Sequence, residues 1–337
     1  MSKSPADTLI EMSTGFTLSR ALHVVAELGI ADALGKAPLS AAALASATGT
    51  HPEALDRALR VLAAHGVFAA RCGLYEHTPE SRLLRSDHAQ SMRSFVRMQG
   101  IPALWHVWED FDHSLRTGRS AAEKSMPNGF WGYFAQNPEH HRIFNEAMIG
   151  LTHAQVSGIL NAYDFSGFKK IADIGGGNGN LLRAILSEYP NAEGVLFDLP
   201  HVIEQVKSIP SARLTFQPGS FFEDPLPVCD AYLMKVIIHD WSDAEAARIL
   251  QAVRRSAPPH AKLLLAEFLI PEGREPNWTL FVDLLMLGEL TGKERTKSEF
   301  KKLLCNSGFR LDLVINAGMN TYILESSVDL IPGRFIR

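Results

Sequence analysis

Ile171-Ala172-Asp173-Ile174-Gly175-Gly176-Gly177-Asn178-Gly179-Asn180 is the stretch that decides the fold. Ahead of it, Lys169 to Ile174 reads as a short buried strand. Behind it, Leu181-Leu182-Arg183-Ala184-Ile185-Leu186 opens an apolar helical face. Four glycines between a strand and a helix permit torsions that other residues resist and bring the main chain close to a ligand. Loops of this kind hold nucleotide-like cofactors at the carboxyl end of the first strand. The dinucleotide fingerprint G-x-G-x-x-G fails here, because its last glycine would fall on Asn180. What stands instead is Gly175-x-Gly177-x-Gly179, preceded by Asp173.

That spacing is similar to the glycine loop of S-adenosylmethionine-dependent methyltransferases. A carboxylate beside the loop repels a pyrophosphate but suits a cofactor bearing a sulfonium and an ammonium. Downstream, strand candidates Lys170–Ile174, Gly194–Asp198, Arg213–Gln217, Ala231–Ile238 and Ala261–Phe268 alternate with helices beginning near Asn180, Pro200, Asp243 and Trp278. Such alternation specifies a parallel, doubly wound α/β sheet. The last two strands, near Phe309–Val314 and Asn320–Leu324, are too close in sequence for a crossover and form an antiparallel hairpin at the sheet edge. Asp198 ends the second strand, where an acid in this fold faces the crevice and can accept from both ribose hydroxyls; the competing role is to cap the helix starting at Pro200.

Upstream, residues 1–6 read as disordered. From Thr8 to about Leu34, Phe16, Leu18, Leu22, Val25 and Leu28 recur at helical spacing, giving one amphipathic helix or a pair. Ser40 can cap a short helix ending near Gly49, and Pro52 sits in the first turn of another whose face carries Leu55, Leu59 and Leu62. Val67-Phe68-Ala69 and Leu74-Tyr75 flank a turn and form a small hairpin. The sum is a winged-helix pattern. A DNA-binding regulator needs a clustered basic face, yet residues 1–100 carry ten Lys/Arg against nine Asp/Glu. The module therefore reads as a dimerisation domain with no nucleic-acid partner.

Composition fits this picture. A chain of 337 residues suggests two domains. A net charge of −4 disfavours nucleic acid and anionic membrane as partners. Cys72, Cys229 and Cys305 are few, odd in number and widely spaced, so no disulfide framework or zinc pattern arises. No apolar run approaches the length of a membrane span and no signal-peptide core opens the chain, which together imply a reduced, cytoplasmic enzyme. Residues 95–160 are helical and rich in large apolar groups, as an aromatic pocket requires, although core packing is the commoner role of each.

Leu233-Met234-Lys235-Val236-Ile237-Ile238-His239-Asp240-Trp241-Ser242-Asp243 and Gly292-Lys293-Glu294-Arg295-Thr296 complete a series with the glycine loop, Phe197-Asp198-Leu199-Pro200 and Gly219-Ser220-Phe221-Phe222. In this order they resemble the class I S-adenosylmethionine-dependent O-methyltransferases of the caffeate/hydroxyindole type, over about residues 10–326. The resemblance implies a winged-helix dimerisation domain at 1–100, a helical region lining the substrate pocket at 101–160, and a Rossmann-like catalytic domain at 161–337. It implies His239 as general base for an aromatic hydroxyl, flanked by Glu267 and Glu294, with S-adenosylmethionine as methyl donor; the histidines, including the pair His140-His141, show no zinc spacing, so no metal is expected. It also implies cofactor contacts from Asp173, Gly175, Gly177, Asp198, Leu199, Ser220, Phe221 and Lys235, and acceptor contacts from Phe144, Met148, Asp240 and Met286. A neutral imidazole is suited to removing a phenolic proton near neutral pH. From the residues alone Glu294 has the weaker claim, since Lys293 and Arg295 beside it read as a solvated charge run, and Ser220 stands where the family often has an acid. The alternatives are an N- or C-methyltransferase acting by proximity and a metal-dependent methyltransferase. The acceptor's identity is not legible, nor is the role of the tail at 328–337.

Overall fold

The structure, a computed structural model, describes residues 4–208, 212–273 and 275–330, apart from the side chains of residues 152–154. The end of the tail, 331–337, lies outside the described residues. Two compact units emerge: Met1–His106 with Gly132–Leu151, and Val107–Trp131 with Thr152–Arg337. Segment 101–160 is divided between them, and the chain passes from one to the other within the helix Pro138–Ala162.

In the first unit, order begins earlier than the sequence suggests. The Ser4 side chain accepts from the Asp7 amide while the Asp7 side chain binds back to Ser4, a capping box that starts the helix Pro5–Glu27. Gly29, at φ +67°, then turns the chain into Ile30–Leu34. Ser40 caps Ala41–Thr48, and Pro52 opens Pro52–Ala64. Three short antiparallel strands, β1 (Leu39–Ser40), β2 (Phe68–Arg71) and β3 (Leu74–His77), pair in the order β1-β3-β2. Val25, Ile30, Leu34, Leu44, Leu55, Leu59, Leu62 and Phe68 form one core. The apolar spacing of the first helix does not all serve that core: Leu9, Ile10, Met12 and Phe16 are 60–75% exposed. A bare apolar stripe of this size is what a protein partner would cover.

The second unit is built on seven strands: β4 (Lys170–Ile174), β5 (Glu193–Asp198), β6 (Leu214–Pro218), β7 (Ala231–Lys235), β8 (Lys262–Phe268), β9 (Phe309–Asn316) and β10 (Thr321–Val328). Their order is β6-β5-β4-β7-β8-β10-β9, with β10 antiparallel to both neighbours, so the expected terminal hairpin forms the sheet edge. Both faces are covered, as a parallel sheet requires. Ala172, Phe197, Met234 and Leu265 face Ile249, Val253, Phe300 and Leu304 on one side. Ile171, Leu196, Leu233 and Leu264 face Leu182, Ile185 and Ile203 on the other. Strand order reverses at β4, between β5 and β7, which makes the carboxyl edge there the natural ligand crevice.

One strand ends sooner than its apolar run predicts. Ala231–Ile238 reads as continuous, yet β7 stops at Lys235 because Val236 lies at φ +54°. A β-branched residue in the left-handed region is strained by about 1–3 kcal/mol. The bend turns the Ile237 and Ile238 amides out of the ladder and onto the Glu267 side chain, at 3.1 and 2.8 Å.

Candidate active site

Asp173, Asp198, Lys235 and Glu267 stand at the carboxyl ends of β4, β5, β7 and β8. Gly175 and Gly177, at φ +70° and +60°, carry the chain over this edge into the helix Asn180–Glu188. Asp173 is buried directly beneath Gly176, where a Cβ would fall 2.5 Å from its carboxyl group. Burial pushes Asp173 up to about 7, with Lys235 pulling against it and Asp198 adding to it. Lys235 is lowered by its own burial, against the carboxylates of Asp173, Glu267 and Asp240. Asp198 accepts from the amides of Gly177 (2.8 Å) and Leu199 (2.7 Å). It is therefore tied to the glycine loop, and Leu199, half exposed, is the residue that precedes the Pro200 helix.

Beyond β6, Asp224 accepts from the Ser220 amide at 2.8 Å, and the Ser220 oxygen accepts from the Phe222 amide at 3.3 Å. Phe221 packs edge-on against Phe222 and Trp241. A Cβ on Gly177 would meet open space, so the loop offers room beside its backbone. The acid-rich, lysine-bearing edge fits a cofactor with cationic groups and an adenosine better than one with phosphates.

His239 lies in the 3-10 turn Ile238–Asp240 and is 5% exposed. Its Nδ1 is 2.7 Å from Glu294 Oε1 and its Nε2 is 3.2 Å from Asp240 Oδ1. Burial opposes a charged ring, but Asp240 and Glu294, with Glu267 behind them, outweigh it and push His239 up to about 9. Asp240 is itself raised by burial to about 6, and Glu267 to about 7. Phe268 packs edge-on against the imidazole at 6.0 Å and against Trp278 at 5.0 Å, giving the histidine an aromatic wall.

The Gly292–Thr296 turn is no solvated charge run. Glu294 is 2% exposed and Arg295 fully buried, which corrects the expectation drawn from their charged neighbours. Arg295 Nε donates to Asp243 Oδ1 at 2.9 Å, and its terminal nitrogens donate to the carbonyls of Ile238 (3.0 Å) and Trp241 (2.8 Å). It thereby clamps both ends of the histidine turn. Asp283 accepts from the Glu294 amide at 2.9 Å and fixes the other side. Gly292 abuts the turn so closely that a Cβ would sit 1.9 Å from the His239 carbonyl oxygen.

Met286, 8% exposed, lies on the helix Trp278–Glu289 in the same unit. Phe144 and Met148 belong to the other unit, where both are partly buried and Phe144 packs on Phe134 at 4.9 Å. Sequence reasoning missed Phe268, Trp278, Asp283 and Arg295. The buried arginine was signalled only by the repeated charge around Glu294, a pattern that also describes exposed turns. Among the described residues, no group of three His, Cys, Asp or Glu is arranged to hold a metal ion, and no helix is long and apolar enough to cross a membrane.

A doubly wound sheet with this glycine loop and this acid edge defines the S-adenosylmethionine-dependent methyltransferase class. Residues 108–310 match the O-methyltransferase domain and residues 10–87 match the O-methyltransferase dimerisation domain. The chain belongs to the O-methyltransferase family and is an enzyme of that class. It is 40% identical to the phenazine O-methyltransferase of Lysobacter antibioticus, across 94% of this chain and 95% of that one. It is 34% identical to the 8-amino-8-demethylriboflavin N,N-dimethyltransferase of Streptomyces davaonensis, across 96% and 95%. An O-methyltransferase of neocarzinostatin biosynthesis, solved with S-adenosylmethionine and 2-hydroxy-5-methyl naphthoic acid, superposes with a TM-score of 0.78 at 30% identity, across 92% and 95%.

Proposed function

We propose that this enzyme methylates a hydroxyl of an aromatic small molecule in secondary metabolism, with His239 as general base. The observation that carries the reading is the pairing of His239 Nδ1 with Glu294, which leaves Nε2 as the ring's working nitrogen beside the Phe268–Trp278 wall. S-adenosylmethionine, when bound, supplies a methyl carbon made electrophilic by its sulfonium. Asp173, Gly175, Gly177, Asp198, Leu199, Ser220, Phe221 and Lys235 would hold it. Asp198 suits the ribose hydroxyls and Phe221 offers a face for adenine, while the buried Asp173 gains a cationic counterpart.

In this reading the acceptor hydroxyl takes Asp240's place at Nε2, and Nε2 removes its proton as the oxygen becomes nucleophilic. Glu294 keeps the Nδ1 proton and stabilises the imidazolium that forms. Glu267 holds the turn through the Ile237 and Ile238 amides. A base so placed contributes about 10²–10⁴-fold, and alignment of the reactants supplies most of the rest. Met286 would contact the acceptor ring, and the 1–100 region would form a homodimer.

The second reading is transfer to nitrogen, favoured by the likeness to an N,N-dimethyltransferase. An amine needs no strong base. Methyl transfer from labelled S-adenosylmethionine to matched phenols and aromatic amines, with parent and His239→Ala in the presence of EDTA, decides between them. Loss of about 100-fold on phenols with cofactor affinity retained supports His239 as base. Transfer only to amines, or undiminished phenol rates in the variant, rejects it. Loss of the parent's activity in EDTA points to a metal.

A further inference from the structure

Glu289 is the last residue of the helix Trp278–Glu289 and is 7% exposed. Its Oε1 is buried without a hydrogen-bond partner, and among the described residues no ion pair or hydrogen bond engages its side chain. Nothing local calls for an acid here. A carboxylate at a helix C-terminus meets the unfavourable end of the helix dipole. The neighbouring carbonyls of Leu287 and Gly288 are already taken by the hydroxyls of Ser114 and Ser120, at 3.4 and 2.8 Å. A buried polar group that neither caps nor pairs is retained at a cost unless a partner arrives from outside the chain.

Its surroundings say where that partner arrives. Met286 lies one turn back on the same helical face. Asp240, which occupies His239 Nε2, is near enough for its charge to act on Glu289. Burial first, and Asp240 second, push Glu289 up to about 8, so the carboxyl keeps its proton at neutral pH. A protonated carboxyl is an O–H donor.

We propose that Glu289 is a specificity-determining residue whose carboxyl O–H donates a hydrogen bond to a lone pair on the aromatic acceptor, a carbonyl oxygen or ring nitrogen near the hydroxyl to be methylated. This rests on the acceptor site lying at His239. It selects oxygenated or nitrogen-containing ring systems over plain phenols, because a site built to hydrogen-bond rejects an analogue that lacks the partner.

The test is calorimetric binding of 1-hydroxyphenazine and its carbon isostere 1-hydroxyanthracene to full-length protein saturated with S-adenosylhomocysteine. Glu289→Met keeps length and removes the donor; Glu289→Gln restores an N–H donor without a titrating group. The expected result is that Glu289→Met weakens 1-hydroxyphenazine by about tenfold more than it weakens 1-hydroxyanthracene, while Glu289→Gln stays within about threefold of the parent. Equal weakening of both compounds by Glu289→Met overturns the proposal. So does a Glu289→Gln loss as large as that of Glu289→Met, which would show that a negative charge is needed. If Glu289→Met does not fold, the Glu289→Gln result alone decides: a loss of about tenfold or more rejects the donor role. Binding is read without turnover, so a parent that binds both compounds but methylates no oxygen refutes the O-transfer reading and leaves this one standing.

Discussion

His239 Nδ1 and Glu294 Oε1 lie 2.7 Å apart although 55 residues separate them in sequence. The contact joins the turn after β7 to the turn before the helix Lys297–Asn306, and Arg295 secures the same junction from beneath. A carboxylate accepts, so this contact places a proton on Nδ1. Nε2, 3.2 Å from Asp240 Oδ1, is the nitrogen that would have to lose its proton and exchange Asp240 for the acceptor in the proposed reading.

A histidine acting as base must be neutral, and the carboxylates around His239 raise it to about 9. kcat/KM for a phenolic acceptor is therefore expected to climb from pH 7 toward 9 and then level. Glu294→Gln removes one of those carboxylates, so the rising limb should move to lower pH while kcat falls about 10–100-fold. A limb that stays in place in the variant would show that Glu294 does not set the histidine's protonation.

Gly292→Ala places a methyl group against main chain, with no flexible side chain to yield. The histidine turn has to shift, so kcat should fall at least about tenfold, with a stability loss of about 1–3 kcal/mol. S-adenosylhomocysteine affinity, measured by calorimetry, should change little. An alanine variant with parental kcat would mean that the turn tolerates displacement.

Arg295→Met keeps volume but strips donors from the Ile238 and Trp241 carbonyls and leaves Asp243 without this partner. Asp243 is 62% exposed, so the loss lies mainly in the main-chain carbonyls left without a donor, about 1–3 kcal/mol for each. Urea unfolding should show it, and a change under 1 kcal/mol, taking about the scale of a surface pair, would refute a clamping role.

The buried acids predict how stability depends on pH. Asp173, Asp240, Glu267 and Glu289 all bind their protons more tightly in the folded chain than unfolded, with values raised to about 7, 6, 7 and 8. Their contribution is lost as pH rises through that range. His239, also raised, contributes stability below its ordinary value that is lost as pH passes about 9. Lowered acids such as Asp230 and Asp312 act only in the more acidic range. Melting temperature should thus fall from pH 6 to 9, less steeply in Glu289→Gln. A flat or rising profile would contradict the shifts.

Much of the fold was legible because its signals are local. Ser40, Gly49 and Pro52 announce their helices by capping chemistry, and the glycine loop announces the strand–helix junction. The short spacing of β9 and β10 fixes their antiparallel pairing. Where sequence reading failed, the cause was tertiary. The apolar run through Ile238 conceals the left-handed turn at Val236, which is held by contacts from Glu267 on another strand. Lys293, Glu294 and Arg295 are adjacent in sequence, yet only Lys293 is itself partly exposed, where it reaches Asp243 and Glu299. Glu289 carried no signal at all, since an acid at a helix end is ordinary until its burial is known.

Gly292 and Arg295 meet the histidine turn through its main-chain atoms, at the carbonyls of residues 238, 239 and 241. The placement of His239 is thus written into peptide geometry rather than into side-chain contacts. If the proposed acceptor site holds, descendants of such a chain can exchange Met286, Glu289 or Trp278 for other residues and explore new acceptors while the imidazole stays where it was. Substrate range and catalytic competence become separately heritable traits.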